Sequence, residues 1–332
     1  MRRIPLTTCA AVAALLTSAC FGGPAGARAS GHPAGTGTTG SPTADTAVRI
    51  RVIAEGFDLP APIQREVAVA DAGRILIVGG LSAAGSSVNG VFAMDPSTGH
   101  VERVGTVPQP FHDGTGQVLG GLVFVFGGGA GQSSDVVQTF DPVTHRGALA
   151  GRLPVALSDV ASAVVGTTVY LVGGYDGQAP RPEIYATTDG RRFDQVGTLP
   201  VGLRYAAVAS DGGGLVIAGG VSANGPVDTV DGFDPRTGKV TPLGHLSRPV
   251  GHAAAFVLGG VVFVAGGEDA TGHAVPTIWR IDPAAGTVSM TGSLPRAVSD
   301  AGVASEPGRA WLLGGLREVA LRQVLEATLV PG

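Results

Sequence analysis

Cysteine is almost missing from this chain: Cys9 and Cys20 are the two among 332 residues. That scarcity excludes a disulfide-stapled scaffold and zinc modules built on Cys and His pairs. Lysine is scarcer still, with Lys239 standing alone. Charged residues amount to 14% and the formal net charge is −4, which argues against nucleic acid or an anionic membrane surface as the partner. Aromatic residues are only 5%, so the core must be filled largely by aliphatic side chains. No apolar run is long enough to cross a bilayer as a helix. A nucleophile elbow, a P-loop and a dinucleotide fingerprint are all absent. Gly127-Gly128-Gly129-Ala130-Gly131 follows a strand pattern but opens no helix, so it is not a phosphate cradle. No cofactor and no metal is implied.

What the chain has in excess is glycine, 54 residues, within a composition that is 44% hydrophobic. Its mean hydropathy is +0.30. That combination suits many short strands joined by tight turns, and it is too apolar for disorder over the whole length.

Residues 1–20 read as an export signal: Arg2 and Arg3 supply the positive end, and Ala10–Leu16 the short apolar stretch. Removing those two arginines takes the net charge from −4 to −6. Leu16-Thr17-Ser18-Ala19-Cys20 resembles the bacterial lipobox, whose cysteine is acylated and becomes the new N-terminus, although Thr17 stands where Leu or Val is usual. Lipidation at Cys20 is the expectation, with simple secretion after cleavage near Ala19 or Ala25 as the alternative. Residues 21–46 are rich in Gly, Ala, Ser, Thr and Pro without apolar periodicity and read as a disordered tether. The globular head spans 47–331. An exported, monomeric head at the outer face of the cytoplasmic membrane, held by a lipid anchor only, or a secreted one, follows.

The head is built on a repeat. Gly-Gly doublets begin at Gly79, Gly127, Gly173, Gly219, Gly266 and Gly314, in steps of 48, 46, 46, 47 and 48 residues. Each follows an unbroken apolar run such as Ile75–Val78 or Val261–Ala265, which suits a strand buried on both faces. A third strand ends in Asp-Pro at Asp95, Asp141, Asp234 and Asp282, where proline stops the ladder and opens a turn. A fourth strand then leads to Leu-Pro or Leu-Ser. Four strands per period of this length predict an all-β fold, a six-bladed β-propeller of four-stranded antiparallel blades. The last unit lacks a fourth strand, while Val48–Ile53 alternates as one and precedes Leu59-Pro60. The N-terminal strand is therefore expected to pair with the C-terminal blade and close the ring.

Apolar run, Gly-Gly, Phe-Asp-Pro, Thr-Gly and Leu-Pro together resemble the kelch repeat across 47–331, in the manner of bacterial kelch-repeat lipoproteins. The Trp usual after the turn is replaced near Val101, Gly147, Val240 and Val288. In the third unit, Thr187-Thr188-Asp189-Gly190-Arg191-Arg192-Phe193 takes the place of Asp-Pro and resembles a shortened sialidase Asp-box, a structural turn. Within that family, galactose oxidase chemistry is excluded, because the head has no cysteine for its Tyr–Cys crosslink. Sialic-acid mutarotases are six-bladed relatives that use acidic and Arg residues.

Counting 14 back from each first glycine marks one equivalent place per blade, at the channel mouth where the innermost strand begins: Arg65, Asp113, Asp159, Tyr205, His252 and Asp300. Arg204 precedes one of them. Carboxylates that accept from hydroxyls, with Arg and Tyr as donors, suit a polyol or a small cation. The plainer alternative is that these side chains only solvate a water-filled channel. The expected function is a binding or interaction module for an envelope protein or a carbohydrate ligand, without catalytic residues. A sugar mutarotase or epimerase is the enzymatic alternative.

Overall fold

Apolar segments of four to eight residues, punctuated by Gly and Asp turns, are too short for helices, and the fold follows from that. A computed structural model describes residues 48–332, in which every regular element is a β-strand and the sheets form a propeller-like array. Residues 1–47 lie outside the described residues, and with them the expected export signal, the expected lipidation at Cys20 and the whole of the expected tether at 21–46.

Val67–Asp71, Arg74–Val78, Val88–Met94 and the first half of Val101–Leu119 pair antiparallel in that order. The second half of Val101–Leu119 pairs with Leu122–Gly129, which continues to Ser134–Asp141 and Arg146–Leu157. These two ladders form a single seven-stranded sheet because the chain passes from Phe111, opposite Val88, to His112, opposite Gly129, without a loop. Four further sheets have four strands each. The last of them joins Val48–Ala54 to Val324–Pro331, with Ile50 opposite Leu329 and Val52 opposite Ala327. The sequence led us to expect six separate four-stranded sheets; the continuous 19-residue strand fuses two of them.

The Asp turns work through the carboxylate rather than the proline. Asp141 Oδ1 accepts from the amides of Val143 (2.8 Å) and Thr144 (3.1 Å). Asp189, in the unit without Asp-Pro, accepts from Arg191 and Arg192 in the same way, at 2.8 and 2.9 Å. An Asx turn needs only the aspartate, so the departure at Thr188-Asp189 costs nothing in architecture.

The Gly-Gly doublets bind neighbouring ladders together. Gly173 has φ +64, and a Cβ there would collide with the carbonyl oxygen of Leu203 on the next sheet. The following Gly174, at φ +104, donates its N–H to that same carbonyl at 2.8 Å. Gly219-Gly220 repeats the arrangement against Val250, Gly266-Gly267 against Val298, and Gly314-Gly315 against Ile63. Two positive-φ residues without Cβ are what such a close approach requires.

Six apolar clusters fill the spaces between neighbouring ladders, each drawing on two of them. One joins Ile75, Ile77 and Met94 near the start of the chain to Trp311, Leu313 and Val324 near its end. The scarce aromatic rings pack against backbone: a Cβ at Gly105 or Gly197 would run into Phe140 or Phe233, respectively.

Candidate functional site

The six residues found by counting back from the glycines sit together around one axis. All six are left-handed, with φ between 52° and 59°. Each amide donates to the carbonyl of the equivalent residue on the neighbouring strand: Asp113 to Arg65, Asp159 to Asp113, Tyr205 to Asp159, His252 to Tyr205, Asp300 to His252, and Arg65 to Asp300. The cycle returns to its start, with N···O distances from 2.7 to 3.2 Å. Left-handed backbone costs a non-glycine residue about 1–2 kcal/mol, so six at one rim are held there by the surrounding structure. The turned backbone projects the six side chains into a throat of about 150 Å³, which they line together with Glu66.

Arg65 Nη1 lies 3.2 Å from Asp113 Oδ2 and donates to the Tyr205 hydroxyl at 3.3 Å. Its Nε is 3.2 Å from Asp300 Oδ1, within ion-pair range but not aligned as a hydrogen bond. His252 Nδ1 donates to Asp300 Oδ1 at 2.6 Å, and Ser299 Oγ donates to Asp300 Oδ2 at 2.9 Å. The His252 and Tyr205 rings stack with centroids 3.6 Å apart.

Burial and charge divide the throat carboxyls. Burial pushes Asp113 up to about 7, with Arg65 and Tyr205 opposing the rise and Asp159 and Asp300 adding to it. Burial acts upward on Asp300 too, but His252, Arg65 and Ser299 together hold it below the ordinary carboxylate range. The Tyr205 phenol is raised by burial and by its carboxylate neighbours, so it stays protonated as a donor.

On one side of the ring the throat opens into a polar cleft of about 520 Å³. Asp113, Asp159, Arg204 and Tyr205 line it, while Arg65, His252 and Asp300 line only the throat. Arg204 Nη1 pairs with Asp159 Oδ2 at 3.2 Å, and its guanidinium lies over the rings of Tyr175 (4.9 Å) and Tyr205 (5.4 Å). On the other side runs a cavity of about 500 Å³ walled by the small residues of the innermost strands, with Glu66 its one titratable residue. The described residues contain no group of three or more His, Cys, Asp or Glu side chains arranged to hold a metal.

Solved structures share this fold, among them that of YjhT, which matches with a TM-score of 0.71 at 16% identity, over 82% of this chain and 99% of that one. At such identity the likeness shows fold and nothing of chemistry. No protein-family model and no curated protein matches the chain.

The cleft also holds residues that counting from the glycines leaves out. His112, Ser158 and Tyr175 line it. His112 Nδ1 is 2.8 Å from Ser87 Oγ and its Nε2 is 3.4 Å from Asp113 Oδ2. Burial, then the charge of Arg65, lowers His112 below the ordinary histidine value. Gln132 and Ser133 come from the loop after Gly127-Gly128, with Ser133 Oγ donating to the Tyr175 carbonyl at 2.8 Å. The signal for these was proximity: the residue before a ring position pairs with the first residue after a Gly-Gly doublet, as Ser158 does with Tyr175 and Arg204 with Val221. Glu66, one residue after Arg65, had no sequence signal at all.

Proposed function

We infer that the head is a six-bladed propeller of the kelch type, closed by its N-terminal strand and acting as a binding module for a carbohydrate. For the blade count, the support is the six-membered cycle of ring hydrogen bonds and the six apolar clusters; for closure, it is the pairing of Val48–Ala54 with Val324–Pro331. Export with a lipid anchor at Cys20 would hold this module at the outer face of the cytoplasmic membrane, its ring free to meet extracellular ligands.

The observation that carries the ligand class is the one-sidedness of the ring. The paired charged side chains that reach an open cavity, Asp113, Asp159 and Arg204, are on the cleft side, in a volume suited to one or two sugar rings. The opposite cavity is walled mostly by small residues, with Glu66 its one titratable group. Carboxylates of Asp113 and Asp159 accept from vicinal hydroxyls, Arg204 and Tyr205 donate, and Tyr175 offers an aromatic edge. Calorimetric titration against a panel of mono- and disaccharides tests this reading. Arg204→Ala should weaken the binding of any sugar that binds by about tenfold, the worth of a lost charged hydrogen bond. A panel on which nothing binds removes the carbohydrate reading and turns the search toward an envelope protein.

A second reading has its own observation. Asp113, pushed up to about 7, and His112, lowered toward the neutral form, stand side by side at the cleft wall. An acid able to protonate a ring oxygen next to a base able to take the anomeric hydroxyl proton is the equipment of a mutarotase. Anomer exchange followed by NMR, abolished in Asp113→Asn, would favour this enzyme over simple binding.

A further inference from the structure

We propose that the cleft is one half of a longer trough, and that its ligand is an oligosaccharide of three or more residues, uncharged where it leaves the cleft. The proposal rests on the carbohydrate reading of the cleft and adds a second subsite for the part of the ligand that the cleft does not hold.

The second subsite is a cavity of about 390 Å³ at the loop that follows Gly127-Gly128. It meets the cleft at Gly129 and Gln132, which line both compartments. Gln132 stands exposed at this crest, so a chain of sugar rings can cross from one compartment to the other over it. The chemistry changes at the crossing. The cleft carries Asp113, Asp159 and Arg204, whereas no titratable residue lines the second compartment. Its polar side chains are the amides of Gln109, Gln132 and Gln138 and the hydroxyl of Ser134. A primary amide holds a donor and an acceptor side by side, which matches neighbouring sugar hydroxyls and gives a charged substituent no partner.

Both walls are fixed before a ligand arrives. Gln138 is 2% exposed; its Oε1 accepts from the Gln109 amide at 2.7 Å and its Nε2 donates to the Gln109 carbonyl at 3.2 Å. That pair of bonds holds Gln109-Pro110-Phe111, one wall of the second compartment, against the strand Ser134–Asp141. On the cleft side, Ser133 Oγ donates to the Tyr175 carbonyl at 2.8 Å and lies 3.1 Å from Ser158 Oγ, which ties the loop to the next sheet. A Cβ on Gly129 would strike the Gln132 carbonyl oxygen, so the loop folds back this tightly only with glycine there. A partition anchored on both sides loses little freedom when a ligand settles over it.

Calorimetric titration of the full chain tests this with cello-, malto- and N-acetylchito-oligosaccharides of one to four residues. In at least one series the affinity should rise about tenfold between two and four residues, the worth of one or two neutral hydrogen bonds. Gln109→Ala, a change at an exposed side chain, should reduce that gain severalfold, whereas Arg204→Ala should weaken every member of the series alike. Saturation-transfer NMR on the wild type, which needs no variant, should show contact along the whole trisaccharide. Monosaccharides that bind as tightly as tetrasaccharides overturn the second subsite and leave the carbohydrate reading of the cleft standing. A gain with length that Gln109→Ala leaves intact, or saturation confined to one end of the trisaccharide, overturns the second subsite as well. If no member of any series binds, the carbohydrate reading itself falls and takes this extension with it.

Discussion

Arg65 of the ring and Glu66, the residue after it, show how buried charges here set stability. Glu66 holds its proton in the folded protein up to a pH of about 8, whereas the unfolded chain releases it near the ordinary glutamate value. The folded state therefore binds more protons over that interval, and the protein loses stability as pH rises through it. Glu66→Gln keeps the volume and the acceptor to the Gly302 amide and has no proton to lose. Urea denaturation at intervals from pH 5 to 9 should show the wild type weakening toward the alkaline end and the variant staying flatter, the two curves diverging by a few kcal/mol. Parallel curves would mean that Glu66 ionises normally in the fold. Arg65 acts in the opposite sense. It lies against Asp113 and Asp300, whose side chains are 7% and 2% exposed. Arg65→Met leaves two buried carboxylates without their shared cation, and should cost about 3 kcal/mol at neutral pH, as breaking one side of a buried pair does. The loss should shrink in acid, where Asp113 is protonated. None of this was readable in the chain beforehand. The spacing from Gly-Gly gave the six positions, but a left-handed backbone at Arg, Tyr and His runs against local preference and is imposed by the neighbouring strand's carbonyl.

At the scale of the element, the Gly-Gly doublet is where sequence and structure agree most closely, because its cause is local and steric. Gly173 and Gly286 have nearly the same φ, +64 and +61, but different surroundings. A Cβ on Gly286 meets nothing within 4 Å, whereas one on Gly173 strikes the Leu203 carbonyl. Gly286→Ala should thus cost about 1 kcal/mol of left-handed strain, while Gly173→Ala should cost about 3 kcal/mol or more, since the neighbouring sheet must also retreat. Equal losses in thermal unfolding would show that the doublets serve the turn and not the contact between sheets. The Asp turns were legible for the same reason, even at Asp189, where proline is missing. Strand continuity was not. Nothing in Val107-Pro108-Gln109-Pro110-Phe111 announces that the chain runs through two prolines from one ladder into the next, because those prolines are tolerated only where neighbouring strands leave their nitrogens unneeded. The cleft loops are half legible: Tyr175 and Asp176 form an aromatic and charged pair directly after a Gly-Gly doublet, whereas Gln132 and Ser133 have the composition of ordinary loop.

For the whole molecule, the pairing of Val48–Ala54 with Val324–Pro331 decides whether the array behaves as a closed ring or as a row with two ends. In a row, each sheet would lean on its neighbours and the terminal ones would fray first. In a ring, the last sheet borrows its outer strand from the first residues of the head, and Gly315 donates across the junction to the Ile63 carbonyl at 2.9 Å. Val48 lies directly opposite Pro331, so the head's two ends are already neighbours. A circular permutant that joins 332 to 48 through a short Gly/Ser linker, with new ends in the exposed turn at Ala284–Gly286, keeps every sheet and moves only the break. It should melt cooperatively within about 5 °C of the parent. Deleting residues 48–54 instead strips the outer strand from the last sheet, leaving Val324–Pro331 as a bare edge and uncovering Leu325 and Ala327. That variant should lose roughly 10 °C or more and tend to associate through the new edge. The pair of variants separates the two architectures: a row of sheets would tolerate the deletion about as well as the permutation, whereas a ring tolerates only the change that leaves its junction intact.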